Sequence, residues 1–406
     1  MRATTGFLYG FAAGFVATIL AAAGCSTEVA GEDQPGLVDE EAAGCARPNE
    51  VLIWGTRNFY EILGAIEANR SPCSTFWVAL PPVADTAGRK TLPRQGDVLD
   101  RIHDLQDRGV KIRAMAEFHW TSWRGWVEAN GKTWYDAGVE FRRRMDLAGY
   151  DPTAGDTWVV DEFPSTVRAD LEDARPHAMA AVRGLYEGAT PNIRGAVLMV
   201  GLGIDTTYFT DYRRVLEDWL CDAPFWVAMD KHVRFFAQET YANPRRVCVA
   251  GKTVEERNQY LNPYLLHLAR MAGEGPQCAA TARSYFDRAY LPLQTAAWQH
   301  ALYGDLRISE EQMTRFLRLG VAAQRAWSAD HQVPDGRLGF AWAPETGQDP
   351  AALRRIADAL AGAIARAYSP NGRVVDACST SGSYAGCDCE LAGASLNPSW
   401  LSFPVW

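Results

Sequence analysis

Residues 97–120 read DVLDRIHDLQDRGVKIRAMAEFHW, and the assignment of the fold class starts from this stretch. Its first half places apolar residues at helical spacing, at positions 98, 99, 102 and 105, and predicts a helix that ends at Gly109. Its second half, from Lys111 to Trp120, is a short apolar run that predicts a buried strand. A helix that leads directly into a buried strand is typical of α/β proteins.

Six further apolar runs predict strands on either side of this stretch. They are residues 51–55, 76–82, 158–164, 196–201, 233–241 and 338–344. Helical stretches lie between most of them, and a strand that returns parallel to its neighbour needs such a crossover. The sequence therefore predicts an α/β fold with a parallel sheet.

Two parallel architectures compete, a doubly wound open sheet and a closed barrel. The open sheet often carries a glycine-rich first turn, and residues 54–58, WGTRN, are not such a turn. Gly201-Leu202-Gly203 lacks the third glycine of the dinucleotide fingerprint. The sequence therefore favours a TIM-like (β/α)8 barrel over residues 49–368, and its eighth strand is expected between Arg246 and Asp335.

The composition is that of a folded chain. Of 406 residues, 48% are hydrophobic and 22% are charged, whereas disordered chains show the opposite balance. Lys and Arg number 40 against 49 Asp and Glu, which gives a net charge of −9. Nucleic acid is not an expected partner of such a chain.

The N-terminus predicts export. Arg2 precedes an apolar run and the small residues 21–24, and this pattern is typical of a signal peptide, here residues 1–24. The sequence around Cys25 resembles the lipobox of bacterial lipoproteins, with Ala22 where that family usually has Leu. The resemblance implies a lipid on Cys25, a membrane anchor through that lipid and a place in the cell envelope outside the cytoplasm. Ordinary cleavage near the same position and a retained membrane anchor are the alternatives.

Residues 25–48 are acidic and rich in Ala and Gly, and they predict a flexible tether. Beyond Cys25, eight cysteines remain: Cys45, Cys73, Cys221, Cys248, Cys278, Cys378, Cys387 and Cys389. An even set in an exported chain predicts disulfides, with the pairing left open. Zinc is the rival interpretation, but the Cys387-Asp388-Cys389 spacing is too short for a zinc knuckle, so neither a metal nor a cofactor is expected. Residues 369–406 are predicted to form a disulfide-stapled C-terminal extension.

Polar and aromatic residues follow the predicted strands, at the ends where a barrel of this kind gathers its functional groups. They are Trp54, Arg57, Asn58, Glu117, His119, Trp120, Asp161, Glu162, Asp205, Gln238, Glu239, Tyr241, Trp342 and Glu345. A pair of carboxylates that face each other across a cleft is what glycoside hydrolysis requires, and Glu162 with Glu239 is the best candidate pair.

Each of these residues also has a structural interpretation. Glu162 could form an ion pair with Arg113 or Arg168, and Glu239 could do so with Arg234, Arg245 or Arg246. His119 could bond a backbone carbonyl. The aromatics near the third and fourth strands, Trp120, Trp123, Trp126, Trp134 and Trp158, could belong to the core rather than to a sugar site.

Three strand ends resemble those of retaining (β/α)8-barrel glycosidases. Residues 158–164, WVVDEFP, are similar to the fourth strand of that clan, where an Asn-Glu pair ends the strand, and this implies that Glu162 is the acid/base. Residues 235–239, FFAQE, are similar to the strand that carries the nucleophilic Glu, which implies that role for Glu239. Residues 340–342, FAW, are similar to the eighth strand, whose Trp forms the floor of the sugar site.

Two features depart from the clan. Asp161 replaces the Asn and cannot donate a hydrogen bond when it is ionised. The Glu239 strand is sixth by count, whereas the clan carries its nucleophile on the seventh, unless residues 225–229 form a strand before it.

The sequence thus predicts an exported glycoside hydrolase that acts on a carbohydrate. Eight residues would line the sugar site: Trp54, Glu117, His119, Trp120, Asp161, Gln238, Tyr241 and Trp342. The alternative is a surface lipoprotein that binds glycans or another envelope component without cleaving it, and a wide separation of the two Glu carboxyl groups would favour that alternative.

Overall fold

The computed structural model describes Cys45 and residues 49–55, 58–84, 90–91, 98–163, 174–199, 222–238, 289–290, 309–330, 337–342 and 349–369. The predicted signal peptide, Cys25 and the C-terminal extension after Ser369 lie outside these ranges.

In the described part of the chain, eight strands form one parallel sheet. They are β1 (Asn49–Gly55), β2 (Ser74–Leu80), β3 (Ile112–His119), β4 (Thr157–Phe163), β5 (Gly195–Met199), β6 (Val233–Gln238), β7 (Ala289–Tyr290) and β8 (Arg337–Trp342). Their order in the sheet is β8-β1-β2-β3-β4-β5-β6-β7. The predicted parallel α/β fold is confirmed, and the eighth strand, β7, lies in the interval in which it was expected.

Helices connect the strands and cover the outside of the sheet. They are α1 (Phe59–Ala68), α2 (Val98–Asp107), α3 (Trp120–Asn130), α4 (Trp134–Ala148), α5 (Ala174–Glu187), α6 (Ala223–Asp230), α7 (Glu310–Asp330) and α8 (Pro350–Ala367). Residues 225–229 belong to α6, so the idea of an additional strand there is wrong. A short antiparallel ribbon joins Val83–Ala84 to Lys90–Thr91.

The sheet curls on itself, so side chains of distant strands meet inside it. Trp77 of β2 packs edge to face against Phe235 of β6, with ring centroids 5.7 Å apart. At the amino ends of the strands, Arg234 of β6 bonds Glu50 of β1 at 2.8 Å. The two edge strands of this order, β7 and β8, come within 8 Å of each other between Cα atoms.

The strands therefore separate two cores. The interior core consists of Leu52, Trp54, Trp77, Ala79, Met115, Val159, Ala196, Leu198, Phe235, Ala237 and Ala341. The helix-side core holds the alternate strand residues, such as Val51, Phe118 and Val160, together with the inner faces of the helices. Successive strand residues point to opposite faces of the sheet. Since the residues at both sets of alternating positions are apolar, both faces of the sheet are buried.

One disulfide ties the start of the fold together. Cys45 is bonded to Cys73, with Cα atoms 5.5 Å apart. The amide of Asn49 donates to the carbonyl of Cys73 at 2.7 Å. The prediction of disulfides is confirmed for this pair, and the other cysteines of the predicted set lie outside the described residues. Among the described helices, none combines the length and the apolar character needed to cross a membrane.

Helices α4 and α5 approach each other through glycines. A methyl group on Gly184 would overlap the carbonyl of Tyr135 and would lie 3.2 Å from the Cα of Gly138. The two helix backbones are thus in direct contact, and a side chain larger than hydrogen has no space there.

We expect Gly184→Ala to lower the free energy of unfolding by about 1–3 kcal/mol, because the added methyl forces the helices apart. Gly125→Ala is the matched control, since Gly125 is an exposed residue of α3 with nothing within 4 Å of an added methyl. The control should stabilise by roughly 0.5–1 kcal/mol through helix propensity. Urea unfolding measures both changes, and a neutral Gly184→Ala would contradict the close contact.

Asp156, just before β4, organises the amino ends of the strands. Its side chain is 0% exposed and accepts from the amide of Ala114 and from the amide of Asp151, each at 3.0 Å. It also lies 2.6 Å from Nε2 of His103 and accepts from Gln106 at 3.3 Å. One buried carboxylate thereby joins α2, β3 and the turn that leads into β4.

The hydrogen bond to Asp156 raises the pKa of His103 above its ordinary value of 6.5, and partial burial opposes that effect. Since the folded state has the higher pKa, the charged imidazole stabilises the fold fully below the ordinary value and loses this contribution as the pH rises through the folded-state pKa. His103→Gln should therefore destabilise the protein more at about pH 5.5 than at about pH 8.5. Urea unfolding at the two pH values tests this, with exposed His177→Gln as the control, and equal losses at both would contradict it.

Candidate functional site

Four of the predicted site residues lie towards the carboxyl ends of their strands, at positions of the interior face. Trp54 belongs to the interior core at the end of β1. Glu117 and His119 alternate with Met115 of that core along β3, and Asp161 alternates in the same way with Val159 along β4. The sequence folds this way locally because apolar residues anchor the alternate positions beneath the polar ones.

The strand register places the polar residues side by side. His119 of β3 is the Cα partner of Asp161 of β4, and Glu117 is the partner of Val159. Neighbouring strands lie about 4.8 Å apart, so these side chains share one small region.

Asp161 is the most unusual member of this group. Asp161 is 4% exposed, and within the described residues its Oδ1 has no hydrogen-bond partner. A buried acceptor without a donor costs roughly 1–3 kcal/mol, and more when it is charged. The donor for this oxygen is therefore expected from water or from a ligand.

Glu117 and His119 flank this carboxylate. Glu117 is 3% exposed, so the site contains a second buried carboxyl group. His119 is half-buried and directly precedes α3, and its Nδ1 lies 3.2 Å from Oγ of Ser122. Ser122 was not among the predicted site residues. Its contact with His119 could have been expected, because the two residues are three positions apart across the start of a helix.

The predicted acid/base, Glu162, lies on the backbone of β4 next to Asp161. The register between β4 and β5 shifts between Val160 and Phe163, so strict alternation does not assign residue 162 to one face of the sheet. Irregularities of this kind are frequent beside active sites.

The predicted nucleophile follows the sixth strand in the described chain. Gln238 is the last residue of β6 and the Cα partner of Met199 of β5. Glu239 and Tyr241 lie outside the described residues. Among the described strands β6 is the sixth in chain order, the same count that was predicted from the sequence for the strand before Glu239. Arg234, one of its predicted ion-pair partners, bonds Glu50 instead.

Trp342 and Trp120 lie away from the interior face. Trp342 is 1% exposed within the helix-side core, and its Nε1 donates to the carbonyl of Asn58 at 2.9 Å. Trp120 stacks on Trp134, with ring centroids 4.1 Å apart. The structure does not bring these two indoles together with Asp161.

The tryptophans around the third and fourth strands are core residues, as the structural interpretation predicted. Trp120, Trp123, Trp134 and Trp158 are all buried in the helix-side core, and Trp126 packs against it. Phe118 connects them from the strand, stacking on Trp123 at 5.3 Å. These rings stabilise the packing of α3 and α4 on the sheet.

In the ranges that the structure describes, no three His, Cys, Asp or Glu side chains are grouped so that they could hold a metal ion. The described functional groups at this end of the sheet are two buried carboxyl groups, an imidazole and an indole. Such groups can accept hydrogen bonds from a ligand and offer it an apolar wall.

No family model matches the sequence, and no curated protein matches it. Solved structures similar to it are glycoside hydrolases. A GH5-4 broad-specificity endoglucanase from Clostridium longisporum has 10% identity and a TM-score of 0.42, over 77% of this chain and 87% of the other.

A chitinase from Bacteroides thetaiotaomicron has 12% identity and a TM-score of 0.40, over 77% of this chain and 96% of the other. A tri-modular GH5 subfamily 4 endo-β-1,4-glucanase from Bacillus licheniformis has 11% identity and a TM-score of 0.39, over 78% and 59% of the two chains. Because these TM-scores are low, the architecture of this chain is established from its own strand order and register.

We expect Asp161→Asn to stabilise the protein by about 1–3 kcal/mol, because a neutral amide of the same shape costs less to bury than a carboxyl group whose Oδ1 has no hydrogen-bond partner in the described chain. Asp107→Asn, at the exposed end of α2, is the matched control and should stay within about 0.5 kcal/mol of the wild type. Thermal and urea unfolding provide the measurement. A destabilised Asp161→Asn would show instead that the carboxylate is a structural partner.

Proposed function

We propose that this chain is a glycoside hydrolase-like protein whose site lies at the carboxyl end of the curled sheet. The observation that carries the proposal is the buried Asp161 carboxylate, whose Oδ1 lacks a donor in the described chain and which shares one face of the sheet with Glu117. Sugar hydroxyls donate the hydrogen bonds that such acceptors require, and Trp54 adds an aromatic side chain to the same face.

Glu162 is proposed as the proton donor to the leaving oxygen and Glu239 as the second carboxylate. The place of Glu162 beside Asp161 on β4 supports the first role, and the position of Gln238 at the carboxyl end of β6 supports a neighbouring place for Glu239. The stereochemical outcome depends on the distance between the two carboxyl groups, about 5–5.5 Å for retention and roughly 6.5–9.5 Å for inversion.

The test is hydrolysis of a panel of polysaccharides and oligosaccharides by the purified full chain. We expect the wild type to cleave at least one member, and Glu162→Gln and Glu239→Gln each to lower the rate by about 10²–10⁴-fold, because each removes an acid–base or nucleophilic group. Glu128→Gln, an exposed residue of α3, is the matched control and should keep the wild-type rate.

Two outcomes contradict the proposal. If the wild type binds members of the panel and cleaves none, the chain is a carbohydrate-binding protein without hydrolase activity. If both Glu variants keep the full rate, the hydrolysis uses other groups.

The proposed domain organisation follows the sequence. Residues 1–24 are a signal peptide, residues 25–48 carry a lipid on Cys25 and a tether, residues 49–368 form a (β/α)8 barrel, and residues 369–406 are a stapled extension. The approach of β7 to β8 supports the closure of the barrel, and the Cys45–Cys73 bond supports an oxidising compartment outside the cytoplasm.

The proposed lipid anchor predicts a specific modification. Cells that express the full chain and are fed a labelled fatty acid should incorporate the label into this protein, and Cys25→Ser should abolish the label, because that variant has no thiol to acylate. Cys73→Ser is the control, since the sulfur of Cys73 is bonded to Cys45 and is not available for acylation. Equal labelling of the Cys25→Ser variant and the wild type would contradict the anchor.

A further inference from the structure

One edge of β8 is bonded by a side chain instead of a strand. Gln324 of α7 donates from Nε2 to the carbonyl of Gly339 at 3.2 Å, and its Oε1 accepts from the amide of Gly339 at 3.0 Å. Both hydrogen bonds are buried, and Gln324 is 3% exposed. The side-chain amide thus supplies the one donor and the one acceptor that a neighbouring strand supplies to a residue in a parallel sheet.

The other edge of β8 belongs to β1. Residues Glu50–Gly55 pair in parallel with Arg337–Trp342, position by position. Along a strand, the N–H and C=O of one residue point to one side and those of the next residue point to the other. Because Gln324 takes both groups of Gly339, the neighbouring residues of β8 face β1, and Gly339 faces the side on which β7 approaches.

The boundary between β7 and β8, here called the β7–β8 seam, therefore differs from the others. A backbone N–H has one hydrogen to donate, so the amide of Gly339 does not take part in a ladder with β7. In the described chain, β7 pairs with β6 through Ala289 and Tyr290, and the neighbouring strands from β8–β1 to β6–β7 are all joined by backbone ladders. At the β7–β8 seam, a side chain from the crossover helix takes the place of the ladder.

Further bonds fix β8 to the elements on its β1 side. The indole of Trp342, at the end of β8, donates to the carbonyl of Asn58 at 2.9 Å. Arg354 of α8, the helix that follows β8, donates to the carbonyl of Gly64 in α1 at 2.9 Å. If the barrel loosens, β8 therefore stays with β1, and the separation occurs between β8 and β7.

We propose that Gln324 is a strand surrogate, which satisfies the free edge of β8, and that the barrel opens first at the β7–β8 seam. Local opening begins where the fewest backbone hydrogen bonds have to break. At this seam the two bonds between Gln324 and Gly339 take the place of a ladder, and the same side chain restores both when the seam closes. This conformational device belongs to the fold and does not depend on the proposed hydrolase function.

Native-state hydrogen exchange of the full chain, resolved to single amides, tests the proposal. In the wild type, the amide of Gly339 should exchange at least about tenfold faster than that of Phe340 after correction for their intrinsic rates, because Gly339 is exposed by opening of the seam and Phe340 stays bonded to β1. Equal protection of the two amides would overturn the proposal, since it is the result expected for a barrel with a continuous ladder.

Gln324→Met keeps the length of the side chain and removes both hydrogen bonds. The ratio of the Gly339 rate to the Phe340 rate should rise by a further factor of about 10–100, because a buried amide without a partner favours the open state. The ratio is insensitive to a change in global stability, which accelerates both amides alike. An unchanged ratio would overturn the proposal, because β7 would then supply the bond to Gly339.

Gln106→Met is the matched control. Gln106 of α2 donates in the same way to a strand carbonyl, that of Ile112 at 2.9 Å, but its strand β3 has ladders on both sides. This control should leave the ratio of the Gly339 and Phe340 rates at the wild-type value, and an equal rise in both variants would overturn the proposal. The comparison of the two amides in the wild type needs no variant, so it decides the proposal even if Gln324→Met does not fold.

Discussion

A parallel sheet that is covered by helices on one side and curled around its own side chains on the other leaves its strands without a face exposed to water. In this chain the interior core and the helix-side core take alternate residues of the same strands, so nearly every strand position is apolar. Any polar side chain on a strand must then obtain its hydrogen bonds from the protein or from a ligand. That requirement distinguishes buried carboxylates whose donors the described chain supplies from those for which it supplies none.

Asp156 and Asp161, five positions apart at the two ends of β4, illustrate the difference. Asp156 is surrounded by donors from α2, β3 and the preceding turn, and it fixes these elements to one another. Asp161 is also buried, yet its Oδ1 receives no hydrogen bond from the described chain. The carboxylate oxygens at the amino end of the strand are thus paired, whereas at the carboxyl end Oδ1 of Asp161 has no donor in the described chain.

The sequence was informative about the sheet and less so about its faces. Seven strands were visible as apolar runs because burial on both sides makes them continuously hydrophobic. The two-residue β7 was too short to leave such a run. Residues 225–229 could be read as a strand, since a five-residue apolar run has no period that distinguishes it from a helix turn.

Because both faces of the sheet are apolar, the sequence does not show on which face a predicted site residue lies. Trp54 and Trp342 both end apolar strands, and no polar alternation indicates which face either belongs to. Trp54 proves to be in the interior core and Trp342 in the helix-side core. Glu117, His119 and Asp161 were predictable, because they are polar residues within otherwise apolar strands. The missing donor at Asp161 was not predictable, because it depends on neighbours from other elements and not on the adjacent sequence.

The Cys45–Cys73 bond also determines how the fold would respond to mechanical force. It joins the segment before β1 to the residue before β2, so a pull on the chain upstream of Cys45 reaches both strands at once through covalent bonds. Adjacent parallel strands loaded together at the same end are not sheared against each other. The strain from the pulling force would be confined to the amino ends of the strands. The geometry around Asp161, at the carboxyl end, would not change.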